Sequence, residues 1–373
     1  MPIDPGRPLR VAHISDCFAP RTGGIETQVA ALAEHQQRSG MDVRVITATK
    51  GGAQPIGLHV ERVVANMPWD LPIHPRTRAH VQRLLAADPV DVVHVHLGAV
   101  SPFAWGGVRA ARRLGLPTVI TVHSMWGPFA RFGYRLSAQV TGWQRWNIQM
   151  SAVSAASART VQAAIGGDVL VLPNGIDPAL WHVARREPRG SGPLRLISVL
   201  RLAPRKRVLP LLEMAAAASA QTAAGISLTI VGDGPARHRA TSRAATLMHR
   251  TPGLSVQFTG RLDRIGILEH FAQADLFVQP SVRESFGLAA LEARCAGIPV
   301  LARTQSGSGT FVVNQQSGIL VPTDQAMTAA LVELASDPSQ LERLRVGAGT
   351  AVQNVGWPVV LQAVHDAYRR VMR

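Results

Sequence analysis

Lysine is nearly missing from this chain: Lys50 and Lys206 are the only two, although Lys and Arg together outnumber Asp and Glu by 39 to 24. The formal net charge of +15 is therefore carried by guanidinium groups, and it favours an anionic partner: nucleic acid, an anionic membrane face or phosphorylated substrates. Charge alone does not choose among these, and codon bias is the bland explanation of most of the arginine. Cysteine is as scarce. Cys17 and Cys295 stand far apart in apolar surroundings, which suits reduced core thiols in a cytoplasmic protein better than a disulfide framework or a metal site. No apolar run reaches the roughly eighteen residues of a membrane span. The stretch Met1–Arg10 carries Pro and Asp where an export signal needs an apolar core, so the expected location is cytoplasmic. Charged residues are also few, 17% against 46% hydrophobic, which excludes a disordered chain. At 373 residues the expectation is two domains of middling size.

Short apolar runs alternate with helical patterns, which predicts parallel sheets covered on both faces. Strands are expected near 10–14, 43–47, 92–95, 118–122 and 169–172, making residues 1–177 one doubly wound, Rossmann-like domain. The Pro, Gly and Arg-rich segment 178–193 reads as a linker. A second alternation, with strands near 194–199, 227–231, 256–259, 276–279 and 299–302, makes 194–356 a second such domain. Two such halves are expected to face a central cleft, with ligands at the carboxyl ends of strands. The helical pattern of 357–373 is expected to pack back on the first domain.

Several residues fall at those strand ends. Gly23 and Gly24 open a helix after the first strand, where backbone N–H groups can approach an anion; a plain turn is the alternative, because neither G-x-G-x-x-G nor a P-loop is present. His123 follows the fourth strand, at a position that favours function over a structural histidine. His94 and His96 alternate on one strand and suit a core or cleft wall better than a metal site. After the first strand of the second domain, Arg201 and Lys206 leave together with Arg205 and Arg207, a grouping suited to a diphosphate or to a solvated basic loop. In PSVRESFGLAALEARCAGIPVLA, Glu284 precedes a helix begun by Phe286, Gly287 and Leu288, and Glu292 follows in its second turn. Free amides at such a start hold phosphate, while the two carboxylates accept hydrogen bonds from ribose or sugar hydroxyls.

The ordered set GGIE, DVVHVH, TVH, VLPNGID, RLAPRK, VGDGP, FTGRL, the stretch from Glu284 to Glu292, and SGILV resembles glycosyltransferase family 4, retaining enzymes of the GT-B fold. The resemblance spans nearly the whole chain. It implies an α/β enzyme that binds a nucleotide diphosphate sugar, UDP- or GDP-linked, mainly through its C-terminal half. The enzyme would transfer a hexose or N-acetylhexosamine to a hydroxyl of a lipid-linked glycan, glycolipid or small glycoside. By resemblance, Arg201 and Lys206 bind the diphosphate, Glu292 the ribose and Glu284 the donor-sugar hydroxyls. The amides of Phe286, Gly287 and Leu288 meet sugar and phosphate, the Gly23–Gly24 turn lies near phosphate and acceptor, His123 lies beside the donor sugar, and Arg261–Leu262 near the base. No metal or other cofactor is implied, and no Asp-x-Asp motif is evident. Two positions depart from the family: Arg207 stands where glycine is frequent, and SGSGTFV replaces a Gly-Gly-x-x-Glu-like turn, with Thr310 for the acidic residue.

Aromatic residues make up 5% of the chain, yet Trp126, Phe129, Phe132, Tyr134, Trp143 and Trp146 crowd one segment with Arg131, Arg135 and Arg145. That mixture suits an acceptor gate or a peripheral surface for anionic lipid at the inner membrane face, against the alternative of a core helix with a basic outer face. Two other functions stay open: a GT-B-fold nucleotide-sugar epimerase, and a basic nucleic-acid-binding protein, for which no specific motif is present.

Overall fold

Buried apolar runs build one parallel sheet in each half of the chain. The computed structural model describes residues 7–21, 23–51, 57–65, 74–184, 192–350, 352 and 354–373. The chain divides into one unit of Met1–Gly175 with Trp357–Arg373 and a second of Ile176–Gly356.

The first unit runs β1 (Arg10–Ser15), α1 (Gly24–Arg38), β2 (Asp42–Thr47), β3 (His59–Arg62), α2 (Thr77–Ala87), β4 (Val92–Leu97), α3 (Pro102–Arg113), β5 (Thr118–Val122), α4 (Pro128–Thr141), β6 (Ile148–Ala152), α5 (Ala155–Ile165) and β7 (Val169–Val171). Its sheet has the order β3-β2-β1-β4-β5-β6-β7, with every pair parallel. β4 and β5 are buried along their whole length, as strands covered on both faces must be.

The second unit runs β8 (Leu194–Val199), α6 (Val208–Ser219), β9 (Ile226–Val231), α7 (Arg237–Arg250), β10 (Leu254–Gly260), α8 (Arg264–Phe271), β11 (Leu276–Gln279), α9 (Leu288–Cys295), β12 (Val300–Arg303), β13 (Gly318–Val321), α10 (Asp324–Ser336) and α11 (Pro338–Ala348). Its parallel sheet has the order β10-β9-β8-β11-β12-β13. α12 (Trp357–Met372) belongs to the first unit, where Val360, Val364, Tyr368 and Val371 enter a core with Val11, Val92 and Val119. Gly175 makes room for it: a Cβ there would lie 2.5 Å from Cε3 of Trp357. The Gln28 side chain exchanges two 3.0 Å hydrogen bonds with the Gly175 backbone.

Three strands, β3, β6 and β13, were not anticipated from the apolar runs. β3 is a short polar edge strand, β6 follows directly on the aromatic segment, and β13 has only four residues. The segment expected as a linker over 178–193 is described only in part. Pro178–Trp181 forms a 3-10 turn inside the second unit, begun by Asp177 accepting from the Ala179 amide, and Trp181 packs on Phe271; residues 185–191 lie outside the described residues. No helix among the described residues is long and apolar enough to cross a membrane. Both cysteines are half-buried free thiols, and burial raises Cys295 to about 12.

Candidate functional site

Most of the residues singled out by sequence stand at the carboxyl edge of the second sheet. β8 and β11 are neighbours, so the segments leaving them converge: Lys206 Nζ donates to Glu284 Oε2 at 2.5 Å, both side chains being mostly buried. Arg201 is exposed, and no described residue forms an ion pair or hydrogen bond with its guanidinium. Arg207 is drawn away from this group to Asp324, which also pairs with Arg303 Nη1 at 2.5 Å. The backbone of Arg207 is left-handed, φ 61°, which accounts for the family's preference for glycine there. Gly232 and Gly234 lace the next loop onto this one. A Cβ on Gly232 would sit 2.0 Å from the Leu200 carbonyl oxygen, and one on Gly234 would sit 2.5 Å from that of Leu202.

The start of α9 is open. The amides of Phe286, Gly287 and Leu288 donate to no described residue, and no side chain caps the helix. Phe286 is buried against Phe311, with ring centroids 5.5 Å apart, which anchors the turn. Gly287 is left-handed at φ 96°, and a Cβ there would meet Gln279 Nε2 at 2.8 Å and Ser308 Oγ at 3.0 Å. Ser308 donates to Gln279 Oε1, and the Gly307 amide donates to the Glu284 carbonyl at 2.8 Å. The departing segment SGSGTFV thus braces the α9 turn, with Thr310 ending its 3-10 helix. Glu292, half-buried in the second turn of α9, has no hydrogen-bond partner among the described residues, and burial raises it to about 7. Arg261 and Leu262 follow the edge strand β10; no described hydrogen bond or ion pair joins either side chain to Lys206, Glu284 or Glu292.

The remaining candidates lie in the first unit. Gly23 is the N-cap of α1 and Gly24 its first residue, both exposed and without a side-chain cap; Thr22 lies outside the described residues. Glu26 fills the space beside Gly23, where a Cβ would lie 2.4 Å from Oε2. His123, just past β5, donates its amide to the Leu97 carbonyl at 2.8 Å, and its Nε2 lies 3.0 Å from His96 Nδ1. Burial lowers His123 to about 4, so it is neutral in the physiological range.

Sequence reasoning missed what stands behind His123. His96 Nε2 lies 2.9 Å from His13 Nδ1, and His13 Nε2 lies 2.6 Å from Gln36 Oε1. His94 bonds Tyr368 and Thr121 at 2.8 and 2.7 Å. His13, His94 and His96 bring ring nitrogens within 4.8 Å of one another, near enough for a metal ion. Every one of these nitrogens is engaged in a hydrogen bond, which favours a polar network over a ligand set. The signal available was HVH on a strand beside a buried histidine on β1, in register with His94. Asp16 was missed too. It accepts from the Phe103 amide at 3.0 Å to cap α3, and burial raises it to about 6 against the opposing effect of its hydrogen bonds.

The aromatic segment sorts by face. Trp126 stacks on Tyr134 with centroids 3.7 Å apart, and Trp143 is buried edge-on to Trp105 at 5.0 Å. Phe129 and Phe132 are 94% and 70% exposed, and Leu136 and Val140 continue their stripe along α4. Arg135 is turned to the Ala163 carbonyl at the end of α5, and Arg112 covers Trp146, so the outward stripe is apolar rather than basic. The alternative reading, a core helix with a basic outer face, fits the inward Trp126 and Trp143 but not this apolar stripe.

Residues 22–180 match the family model described as Glycosyltransferase Family 4, and residues 183–348 match Glycosyl transferases group 1. A GDP-mannose-dependent alpha-mannosyltransferase of Mycobacterium tuberculosis is 28% identical over 97% of this chain and 97% of its own. A glycogen synthase of the same species is 30% identical over 94% of this chain and 82% of its own. Anabaena HepE, solved in complex with UDP, has a TM-score of 0.76 at 18% identity, covering 97% of this chain and 100% of its own. The two parallel sheets and these likenesses define a nucleotide-sugar glycosyltransferase of the GT-B fold. The chain belongs to glycosyltransferase family 4.

Proposed function

We propose that the second unit binds a nucleoside diphosphate hexose or N-acetylhexosamine and that the sugar is transferred to an acceptor hydroxyl with retention of anomeric configuration. One observation carries this reading: Glu292 is a half-buried carboxylate without a partner among the described residues, on the helix whose open amides begin at Phe286. A carboxylate so placed gains most from a pair of ribose hydroxyls, and helix-start amides gain most from phosphate or sugar oxygens. Lys206 and Arg201 then neutralise the diphosphate as the sugar–phosphate bond breaks, with no metal needed for that role. Glu284 shares its carboxylate between Lys206 and sugar hydroxyls. The acceptor oxygen attacks the anomeric carbon on the face the diphosphate leaves, and its proton passes to a phosphate oxygen of the leaving group. His123 accepts a hydrogen bond from a sugar hydroxyl, Gly23 and Gly24 serve the phosphate and acceptor, and Arg261–Leu262 lie by the base.

The names of the relatives rank GDP-mannose first among donors to test, with UDP-glucose second. Each is incubated with and without a panel of hydroxyl acceptors, and products are read by proton NMR of the anomeric signal. Retained configuration in an acceptor-dependent product supports the reading. Conversion of the sugar nucleotide without acceptor makes the protein an epimerase instead.

The apolar stripe of α4 favours a lipid-linked acceptor and peripheral contact with a bilayer at the inner membrane face. Co-sedimentation with vesicles tests this: binding to anionic vesicles supports it, and absence of binding to any vesicle removes it.

A further inference from the structure

The side chains behind His123 form one hydrogen-bonded chain whose direction is set at its far end. Ser151 Oγ donates to the Ile120 carbonyl at 3.0 Å, which commits its proton and makes it the acceptor for Thr121 Oγ1 at 2.8 Å. Thr121, its proton spent, accepts at 2.7 Å from His94 Nε2–H, so His94 Nδ1 accepts from the Tyr368 hydroxyl at 2.8 Å. The Tyr368 oxygen accepts at 3.0 Å from the Gln36 amide nitrogen, which turns the amide oxygen to His13 Nε2–H at 2.6 Å. Each imidazole passes the constraint on. His13 accepts at Nδ1 from His96 Nε2–H, 2.9 Å away, and His96 accepts at Nδ1 from His123 Nε2–H, 3.0 Å away.

Reversing the chain takes the Ser151 proton from the Ile120 carbonyl and loses a buried hydrogen bond. Protonating His13, His94 or His96 sets two donors against each other. Burial prevents this by lowering His13 and His123 to about 4 and His94 and His96 well below their ordinary value. The far end of the network is thus a serine on β6, its middle a tyrosine on α12, and its near end His123, whose Nδ1 no described residue bonds.

We infer that His96, His13, Gln36 and Tyr368 are positioning residues that lock His123 in its Nε2–H tautomer, leaving Nδ1 as a fixed acceptor for a sugar hydroxyl. The inference rests on the reading above that His123 meets substrate. It adds a specificity: the sugar must offer an O–H there, and an analogue bearing a methyl ether or hydrogen at that position loses the bond.

The test is histidine-selective 15N labelling of the full chain, with long-range proton–nitrogen NMR reporting which ring nitrogen carries the proton and His123→Asn assigning the signal. In the wild type, His123 is expected to be protonated at Nε2 and bare at Nδ1. Two variants separate positioning from packing. His96→Asn keeps an acceptor oxygen near the place of Nδ1, whereas His96→Leu offers none. His96→Asn is expected to keep the His123 signature and transfer within about threefold of wild type, while His96→Leu loses the signature and about tenfold in transfer, the size of one neutral hydrogen bond. A wild-type His123 protonated at Nδ1 overturns the inference and leaves the transfer reaction untouched. Equal transfer by the two variants, both melting like wild type, overturns it as well. Normal transfer by His123→Ala removes the substrate contact itself, whatever the NMR shows.

Discussion

Lys206 and Glu284 hold each other at 2.5 Å across neighbouring strand ends, so the second unit's one lysine is oriented before any ligand arrives. Preorganised charge of this kind matters most where charge develops in the transition state. Lys206→Ala is expected to lower kcat/KM by about a hundredfold or more, and Arg201→Ala by a comparable factor. Steady-state transfer assays check both, and near-normal transfer by either variant removes that residue from the diphosphate site.

If Glu292 binds the donor as proposed, donor binding is expected to depend on pH. Burial raises its carboxyl from 4.5 to about 7, so the folded protein holds a proton that the unfolded chain releases. The sign is therefore destabilising as pH rises: the cost of ionising Glu292 grows between about 4.5 and about 7 and is constant above. Glu292→Gln is expected to melt higher than wild type at pH 8, with the gain shrinking towards pH 4.5. The same variant should bind the donor nucleotide at least tenfold more weakly, the scale of a lost charge-assisted hydrogen bond. Melting curves and nucleotide titrations at two pH values check the opposite signs.

Much of the candidate site's grouping was legible in the sequence because the second unit gathers its candidate residues in contiguous stretches. RLAPRK and the stretch from Glu284 to Glu292 each sit at a strand end, and adjacency of β8 and β11 brings Lys206 to Glu284. The support behind His123 was not legible. His13, Gln36, His96, Ser151 and Tyr368 come from five separate elements, and only sheet order and the seating of α12 make them one network. The outward phenylalanines of α4 were hidden for a related reason: Trp126 and Phe129 look alike by composition, and packing alone turns one inward and the other out.

Gly287 carries both a backbone and a steric requirement. Its φ is 96°, and a Cβ would stand 2.8 Å from Gln279 Nε2, so Gly287→Ala is expected to cost about 1–3 kcal/mol and to displace the α9 amides. Denaturant melts combined with transfer rates check this. Wild-type stability in the variant contradicts the tight turn.

The two faces of α4 should respond differently. Phe129→Ser with Phe132→Ser is expected to leave the melting temperature within about one degree of wild type, as exposed positions do, while removing vesicle binding. Trp143→Ala, by contrast, empties a buried site and should cost about 3–5 kcal/mol. Paired melting and co-sedimentation measurements check both.

The most direct test of sugar-nucleotide binding by the second unit is the thermal shift of the full chain with UDP-, GDP- and ADP-sugars at saturating concentration. A ligand at about a hundred times its Kd adds about 2.7 kcal/mol to the state that binds it. At least one sugar nucleotide is expected to raise the melting temperature of the wild type by several degrees, and the shift should vanish in Glu292→Ala and shrink in Lys206→Ala. A flat response to every donor, or a shift unchanged in both variants, contradicts the assignment.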